Sequence, residues 1–333
     1  MNTRSIGWAA ALCASLAMTG CDDEAPATTD DAGPAPRVDA GAGGSDGGGG
    51  ADAGARSDDA GAPGVDAGSG RLPVVASAGC GVADPPSGAR TITVSAGEGD
   101  YLVSLPSGYE PGTPYPLGFG FHGHGRTHEN CQDGDCRGFQ DAMEDVAILV
   151  YPKSFTDGWP YPVETRDDNV ELFEAILDTM VAEYCVDESR VFVAGTSSGA
   201  TFSNVLACRF GDRLLASVPV AGGLPERDGC VGRVAALVIH GVDDYHVGFD
   251  LGEEARDWYV DRNGCGADPS PALPGLHDRV VAERESHECA DYPSCDDELA
   301  VRWCEHSEGG YDGSTHGWPA FGGDAIWEFV SAF

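Results

Sequence analysis

The runs VFVAG at 191–195 and AALVIH at 235–240 are too short for buried helices and show no polar alternation, so each reads as a strand covered on both faces. A further apolar run fills 215–220, and the stretch 198–208 between is compatible with a helix. Upstream, Val170, Phe173, Leu177, Val181 and Tyr184 recur at three- and four-residue spacing. That period predicts an amphipathic helix, with Asp168 and Glu171 as a capping box at its start. Segments 91–94 and 101–105 read as a pair of strands, 116–121 and 147–151 as two more, and 324–333 as a closing helix. Short apolar strands alternating with helices predict an α/β fold: a mostly parallel central sheet, helices on both faces, and ligands at the carboxyl ends of the strands.

This pattern begins only after Arg71. Residues 22–70 are almost entirely Gly, Ala, Asp, Ser, Thr and Pro, with nothing to build a core from, and read as a disordered acidic linker. Their Asp-Ala-Gly steps lack the fixed period of calcium-binding repeats. Residues 1–21 carry Arg4, an apolar stretch from Ile6 to Met18, and small residues before Cys21. That is the pattern of a secretory signal, too short for a membrane span. Thr19-Gly20-Cys21 resembles the processing site of bacterial lipoproteins, although Met18 stands where leucine is usual. The resemblance implies a lipid on Cys21 and a membrane-anchored protein on the cell envelope or surface. The expected organisation is a signal over 1–21, a linker over 22–70 and a catalytic domain over 71–333. Export also accounts for twelve cysteines: setting aside Cys13 and Cys21, an even remainder fits about five disulfides. A formal charge of −36 would repel phosphate backbones, which argues against a nucleic-acid partner.

Gly195-Thr196-Ser197-Ser198-Gly199 matches GxSxG between a buried strand and a helix, the context in which the motif presents a nucleophile on a strained turn. A serine hydroxyl needs a base to take its proton and a carboxylate to orient that base. In enzymes with this elbow the chain order is serine, acid, histidine, which leaves six of the nine histidines as candidates. His316 lies in a loop just before the last helix and is the first choice, with His306 its rival. The strand at 235–240 ends in Asp243 and Asp244, of which Asp244 is preferred and Asp243 is the reserve. The backbone N–H of Ser198, after the nucleophile, would be one donor to an oxyanion. The other is expected in His122-Gly123-His124-Gly125 after an early strand, with His124 the first choice and His122 a core histidine bracing the loop. Trp159, Tyr161 and Trp318 are candidates for stacking on a substrate ring, or for packing loops. Gly118, Gly120 and Gly123 satisfy GxGxxG, but inside a strand, so no dinucleotide cofactor is expected. His122, His124 and His128 with Asp133 and Asp135 have no zinc-type spacing, and Cys131 and Cys136 read as disulfide partners; no metal is expected.

From Ala78 onward the chain resembles secreted feruloyl esterases, acetylxylan esterases and polyhydroxybutyrate depolymerase-like enzymes, α/β-hydrolases grouped around carbohydrate esterase family 1. The likeness rests on SAGCG at 77–81, LPSGYEPGTPYPL before His122-Gly123, CVDESRVFVAGTSSGA through Ser197, LAC at 206–208, IHGVDD, WYVDRNGC at 258–265 and THGWP before the last helix. It implies the α/β-hydrolase fold and a triad of Ser197, Asp244 and His316. It also implies a Cys185–Cys208 disulfide, a partner for Cys265 among the late cysteines, and Cys80 with Cys230. The implied activity is hydrolysis of feruloyl or acetyl esters of plant polysaccharide, or of a hydroxyalkanoate polyester. Ala200 and Arg126 stand where many relatives carry a second glycine, and Tyr311-Asp312-Gly313-Ser314 interrupts the usual glycine run before the histidine. The same motifs would serve a serine peptidase or amide hydrolase, or persist unused in a carbohydrate-binding surface lipoprotein.

Overall fold

Strands β1 (Gly88–Val94) and β2 (Gly97–Ser104) form the expected antiparallel pair, longer than the patterning suggested because a two-residue turn lets Val94 face Gly97. The computed structural model describes residues 72–159, 166–270, 287–310 and 313–333. The expected signal, Cys21 and the linker 22–70 lie outside these residues, as does Tyr161. Among the described residues no helix is long and apolar enough to cross a membrane.

The remaining strands are β3 (Tyr115–Phe121), β4 (Ile148–Pro152), β5 (Val186–Thr196), β6 (Ala216–Val220), β7 (Ala235–Gly241), β8 (His287–Tyr292) and β9 (Val301–His306). They join in one sheet of order β1-β2-β4-β3-β5-β6-β7-β9-β8. From β4 to β9 all neighbours are parallel; only the β1–β2, β2–β4 and β8–β9 pairs are antiparallel. Such strands must be covered on both sides, and the alternation along them shows how. Ile148 and Val150, Val191 and Val193, Ala236 and Val238 pack into one core with α3 (Arg166–Glu183), α4 (Ser198–Arg209) and α5 (Phe249–Arg262). Their neighbours Leu149, Tyr151, Phe192, Ala194, Leu237 and Ile239 pack into the other core. That face is covered by α2 (Phe139–Met143) and α6 (Gly322–Ser331).

The expected start of α3 is corrected. The helix begins at Arg166, so Asp168 is inside its first turn, where a carboxylate favours the positive end of the helix dipole. Glu171 is no capping partner; it accepts hydrogen bonds from the N–H and hydroxyl of Ser95 in the β1–β2 turn. Two glycines of the GxGxxG match are packing glycines of β3: a Cβ on Gly118 would lie 2.5 Å from the Phe192 ring, and one on Gly120 3.0 Å from Tyr151.

Five disulfides join the described cysteines: Cys80–Cys185, Cys131–Cys136, Cys208–Cys230, Cys265–Cys295 and Cys289–Cys304. Cys131–Cys136 and the late partner of Cys265 agree with expectation, whereas Cys185–Cys208 and Cys80–Cys230 are overturned. A disulfide needs its Cα atoms within about 7 Å. Cys185 directly precedes β5, where the segment 77–80 docks, Ser77 Oγ donating to Tyr184 O at 2.7 Å. Cys208 lies at the far end of α4, beside the loop that carries Cys230.

Candidate active site

Between β5 and α4 only Ser197 is left to turn the chain, with φ 55° and ψ −117°. A side chain in that region is strained by about 1–3 kcal/mol, and main-chain bonds hold it there. Ser197 N–H donates to Val220 O at 2.9 Å, and Ser197 O accepts from Thr201 N–H at 3.0 Å. The turn also needs its glycines. A Cβ on Gly195 would lie 2.4 Å from the Gly199 carbonyl, and one on Gly199 would lie 2.3 Å from Phe121 O. Ala200 fits because Gly222 faces it: a Cβ there would approach that of Ala200 to 2.4 Å. The N–H of Ser198 opens α4, where helix amides lack intrahelical acceptors.

His316 and Asp244, 72 residues apart in the chain, meet at the carboxyl edge of the sheet. His316 Nδ1 donates to Asp244 Oδ2 at 2.7 Å, and both side chains are buried. Asp244 Oδ1 accepts from His246 N–H at 2.9 Å and Val247 N–H at 3.0 Å. Burial pushes this carboxyl up, but the hydrogen bond from His316, the one from Val247 N–H and the nearby imidazoles outweigh it, holding Asp244 below the usual range. With its Nδ1 proton committed to Asp244, His316 keeps Nε2 as the basic atom. Two side chains stitch the loops together. Thr315 Oγ1 accepts from Asp243 N–H at 2.8 Å, and Ser314 Oγ donates to Asp243 O at 3.2 Å while accepting from His316 N–H at 3.1 Å. The departure at Ser314 thus supplies a brace. Asp243 itself points its carboxylate to solvent. The hydrogen bonds of Ser197 run through its main chain, and among the described residues none joins its hydroxyl to His316; such contacts commonly tighten only once substrate binds.

His306, the rival base, is buried at the end of β9 and held near 4, by burial first and by His240 second, with Asp244 opposing. His240 is also buried; its Nε2 donates to Val247 O at 2.9 Å, bracing the turn that serves Asp244.

The loop after β3 lies against the elbow, a Cβ on Gly123 falling 3.7 Å from that of Ser197. His122 braces it. Ser154 N–H donates to His122 Nε2 at 3.3 Å, so Nδ1 carries the proton and donates to Gly123 O at 2.8 Å. Burial keeps this ring neutral, lowered to about 4. The described main-chain bonds engage the amides of Gly125 and Arg126 but not that of His124. Gly158 was missed from the sequence: a Cβ there would lie 2.9 Å from His124 Cα and 3.0 Å from Ser198 Oγ, so the loop that follows β4 wedges between the two. Arg126 pairs with Asp135 at 3.4 Å on the outer side of the loop.

Of the two roles open to the candidate aromatic residues, Trp159 and Trp318 take the packing one. Trp159 is 2% exposed and stacks on Phe202 at 4.5 Å between ring centroids. Trp318 is 7% exposed and packs edge-on against Phe139 of α2 at 5.9 Å. Among the described residues, exposed aromatic rings beside His316 come instead from His246 and its neighbour Tyr245, directly after the buried acid, with Tyr245 64% exposed. The dipeptide's place directly after the acids that end β7 was its only sequence signal.

No protein-family profile matches the chain. It is 29% identical over 241 residues to a probable feruloyl esterase C of Aspergillus niger, across 70% of this chain and 84% of that protein. It is 27% identical over 285 residues to feruloyl esterase D of Neurospora crassa, across 79% and 93%. This chain is a carboxylic ester hydrolase related to feruloyl esterases. The architecture of the esterase agrees: an acetyl xylan esterase from Aspergillus awamori superposes with a TM-score of 0.53 at 15% identity, covering 74% of this chain and 99% of that one. At that identity the likeness speaks for the α/β-hydrolase fold alone.

Proposed function

We propose that the chain is a secreted serine esterase acting on feruloyl or acetyl esters of plant polysaccharide, with Ser197 as nucleophile, His316 as base and Asp244 as its orienting acid. The observation that carries this reading is the 2.7 Å bond from His316 to the buried Asp244, made at the strand edge where Ser197 is held in its elbow. The names of the relatives favour a feruloyl group as the acid.

In the first half-reaction Ser197 Oγ attacks the ester carbonyl carbon as His316 Nε2 takes its proton, and Asp244 stabilises the resulting imidazolium. The oxyanion is held by the N–H groups of His124 and Ser198. Collapse of the tetrahedral species breaks the bond to the alcohol, which leaves with the proton from His316. Water then attacks the acyl-enzyme, gives a proton to His316, and releases the acid as that proton returns to Ser197.

The reading extends to the N-terminal segment: an export signal over 1–21, a lipid on Cys21 and a linker over 22–70 that tethers the catalytic domain to a membrane. Loss of fatty-acid labelling in Cys21→Ser is the expected result.

The test is hydrolysis of methyl ferulate and short-chain nitrophenyl esters by wild type and Ser197→Ala. The expected loss is roughly 10⁴-fold or more in kcat. Equal turnover by the variant would remove Ser197 from the chemistry, and cleavage of an anilide in preference to an ester would point to an amide hydrolase.

A further inference from the structure

Three rings run outward from the buried acid. The His316 ring lies 5.1 Å from that of His246, centroid to centroid, and the His246 ring lies 4.6 Å from that of Tyr245. The step is short and both outer residues face solvent. Their main chain is held, since His246 N–H donates to Asp244 Oδ1 and Tyr245 N–H to Ser314 Oγ at 3.4 Å.

We propose that Tyr245 and His246 form the leaving-group subsite, a stacking surface for the sugar ring whose hydroxyl carries the ester. This rests on the assignment of His316 as the base. The histidine that returns its proton to the departing alcohol must stand beside that oxygen, so the rings adjoining His316 lie on the alcohol side of the scissile bond, not the acyl side. The neighbouring charges narrow the alcohol further. Asp243, exposed in this loop, and Asp250, exposed in the first turn of α5, can accept hydrogen bonds from hydroxyls. They would repel a uronate, and an aryl alcohol would leave them without a donor. A neutral pyranose or furanose, with one apolar face for the rings and hydroxyls at its rim, meets both demands.

The experiment holds the acid constant and varies the alcohol, comparing methyl ferulate with a feruloylated arabinoxylo-trisaccharide. In Tyr245→Ala the ratio of kcat/KM for the trisaccharide ester to that for methyl ferulate falls about three- to tenfold, through KM. In Tyr245→Phe the ratio stays at the wild-type value. An unaltered ratio in the alanine variant, or an equal fall in the phenylalanine variant, overturns the stacking surface. A second titration separates this from the chemistry: the unesterified trisaccharide is added to Ser197→Ala and to Ser197→Ala/Tyr245→Ala. Binding about three- to tenfold weaker in the double variant supports the subsite, and equal or undetectable binding in both overturns it. Wild-type protein that cleaves neither ester while the titration succeeds would instead count against the esterase assignment and leave the sugar surface standing.

Discussion

A carboxyl group sealed from water keeps its proton unless donors are aimed at it, and at Asp244 three are: His316 Nδ1 and the amides of His246 and Val247. The charge so maintained fixes the tautomer of His316 and stabilises its imidazolium. Asp244→Asn is therefore expected to lower kcat on methyl ferulate by roughly 10³–10⁴-fold while leaving the fold intact; a near wild-type kcat would reassign the acid. The sequence pattern preferred Asp244 to Asp243, but the burial of one and exposure of the other depend on contacts with Thr315 and Ser314, 72 and 71 residues away. The buried histidines make a second prediction. His122 and His306 are each held near 4 by burial, below the unfolded value of about 6.5. A depressed value means the unfolded chain binds the proton first, so each ring's contribution is complete above about pH 6.5 and is lost as pH falls toward 4. The loss is on the order of 3 kcal/mol per ring at pH 4. His306 is faced by His240, Asp244 and His287, and His306→Phe removes one titrating group from this cluster. Thermal melts between pH 7 and pH 4 should show a shallower decline for the variant; parallel curves would show that His306 does not govern it.

At the scale of elements, the parts legible in the sequence were those whose physics is local. The apolar runs over 191–195 and 235–240 became β5 and β7 because a strand buried on both faces has no polar positions to spare. The elbow was legible for a related reason. Where strand and helix meet, the backbone of Gly199 comes so near Phe121 O that a side chain is excluded, and a steric demand of that kind leaves a fixed spacing of glycines. What depended on distant contacts was not legible. Trp159 and Trp318 look alike, in composition, to residues at an open mouth, but Phe121, Phe202 and Phe139 draw both into the interior. The start of α3 was misplaced because Glu171, which fits a capping box by spacing, is engaged by Ser95 of another element. Tyr245 and His246 went unnoticed since no periodicity marks a loop that matters only for what it adjoins.

Across the whole molecule, the disulfides divide by the length of chain they close. Cys80–Cys185 spans 105 residues and joins the segment before β1 to the start of β5, so it constrains the N-terminal part of the domain. Cys131–Cys136 spans five, inside a turn that follows the loop carrying His124. In the chain-entropy account, cross-linking removes freedom from the unfolded state in proportion to the logarithm of loop length. The long loop should contribute about 4–5 kcal/mol and the short one about 2 kcal/mol. Connectivity of this kind could not be read from the sequence, because ten cysteines permit many pairings and only docking of the 77–80 segment on Tyr184 selects this one. The two bridges are therefore expected to fail differently when removed. Cys80→Ala/Cys185→Ala should lower the urea midpoint by about twice as much as Cys131→Ala/Cys136→Ala. The short-loop variant, whose cross-link lies beside the oxyanion loop, should lose more kcat on methyl ferulate for each unit of stability lost. Equal midpoints for the two variants would mean that strain or residual unfolded structure, and not loop closure, sets what each bridge contributes.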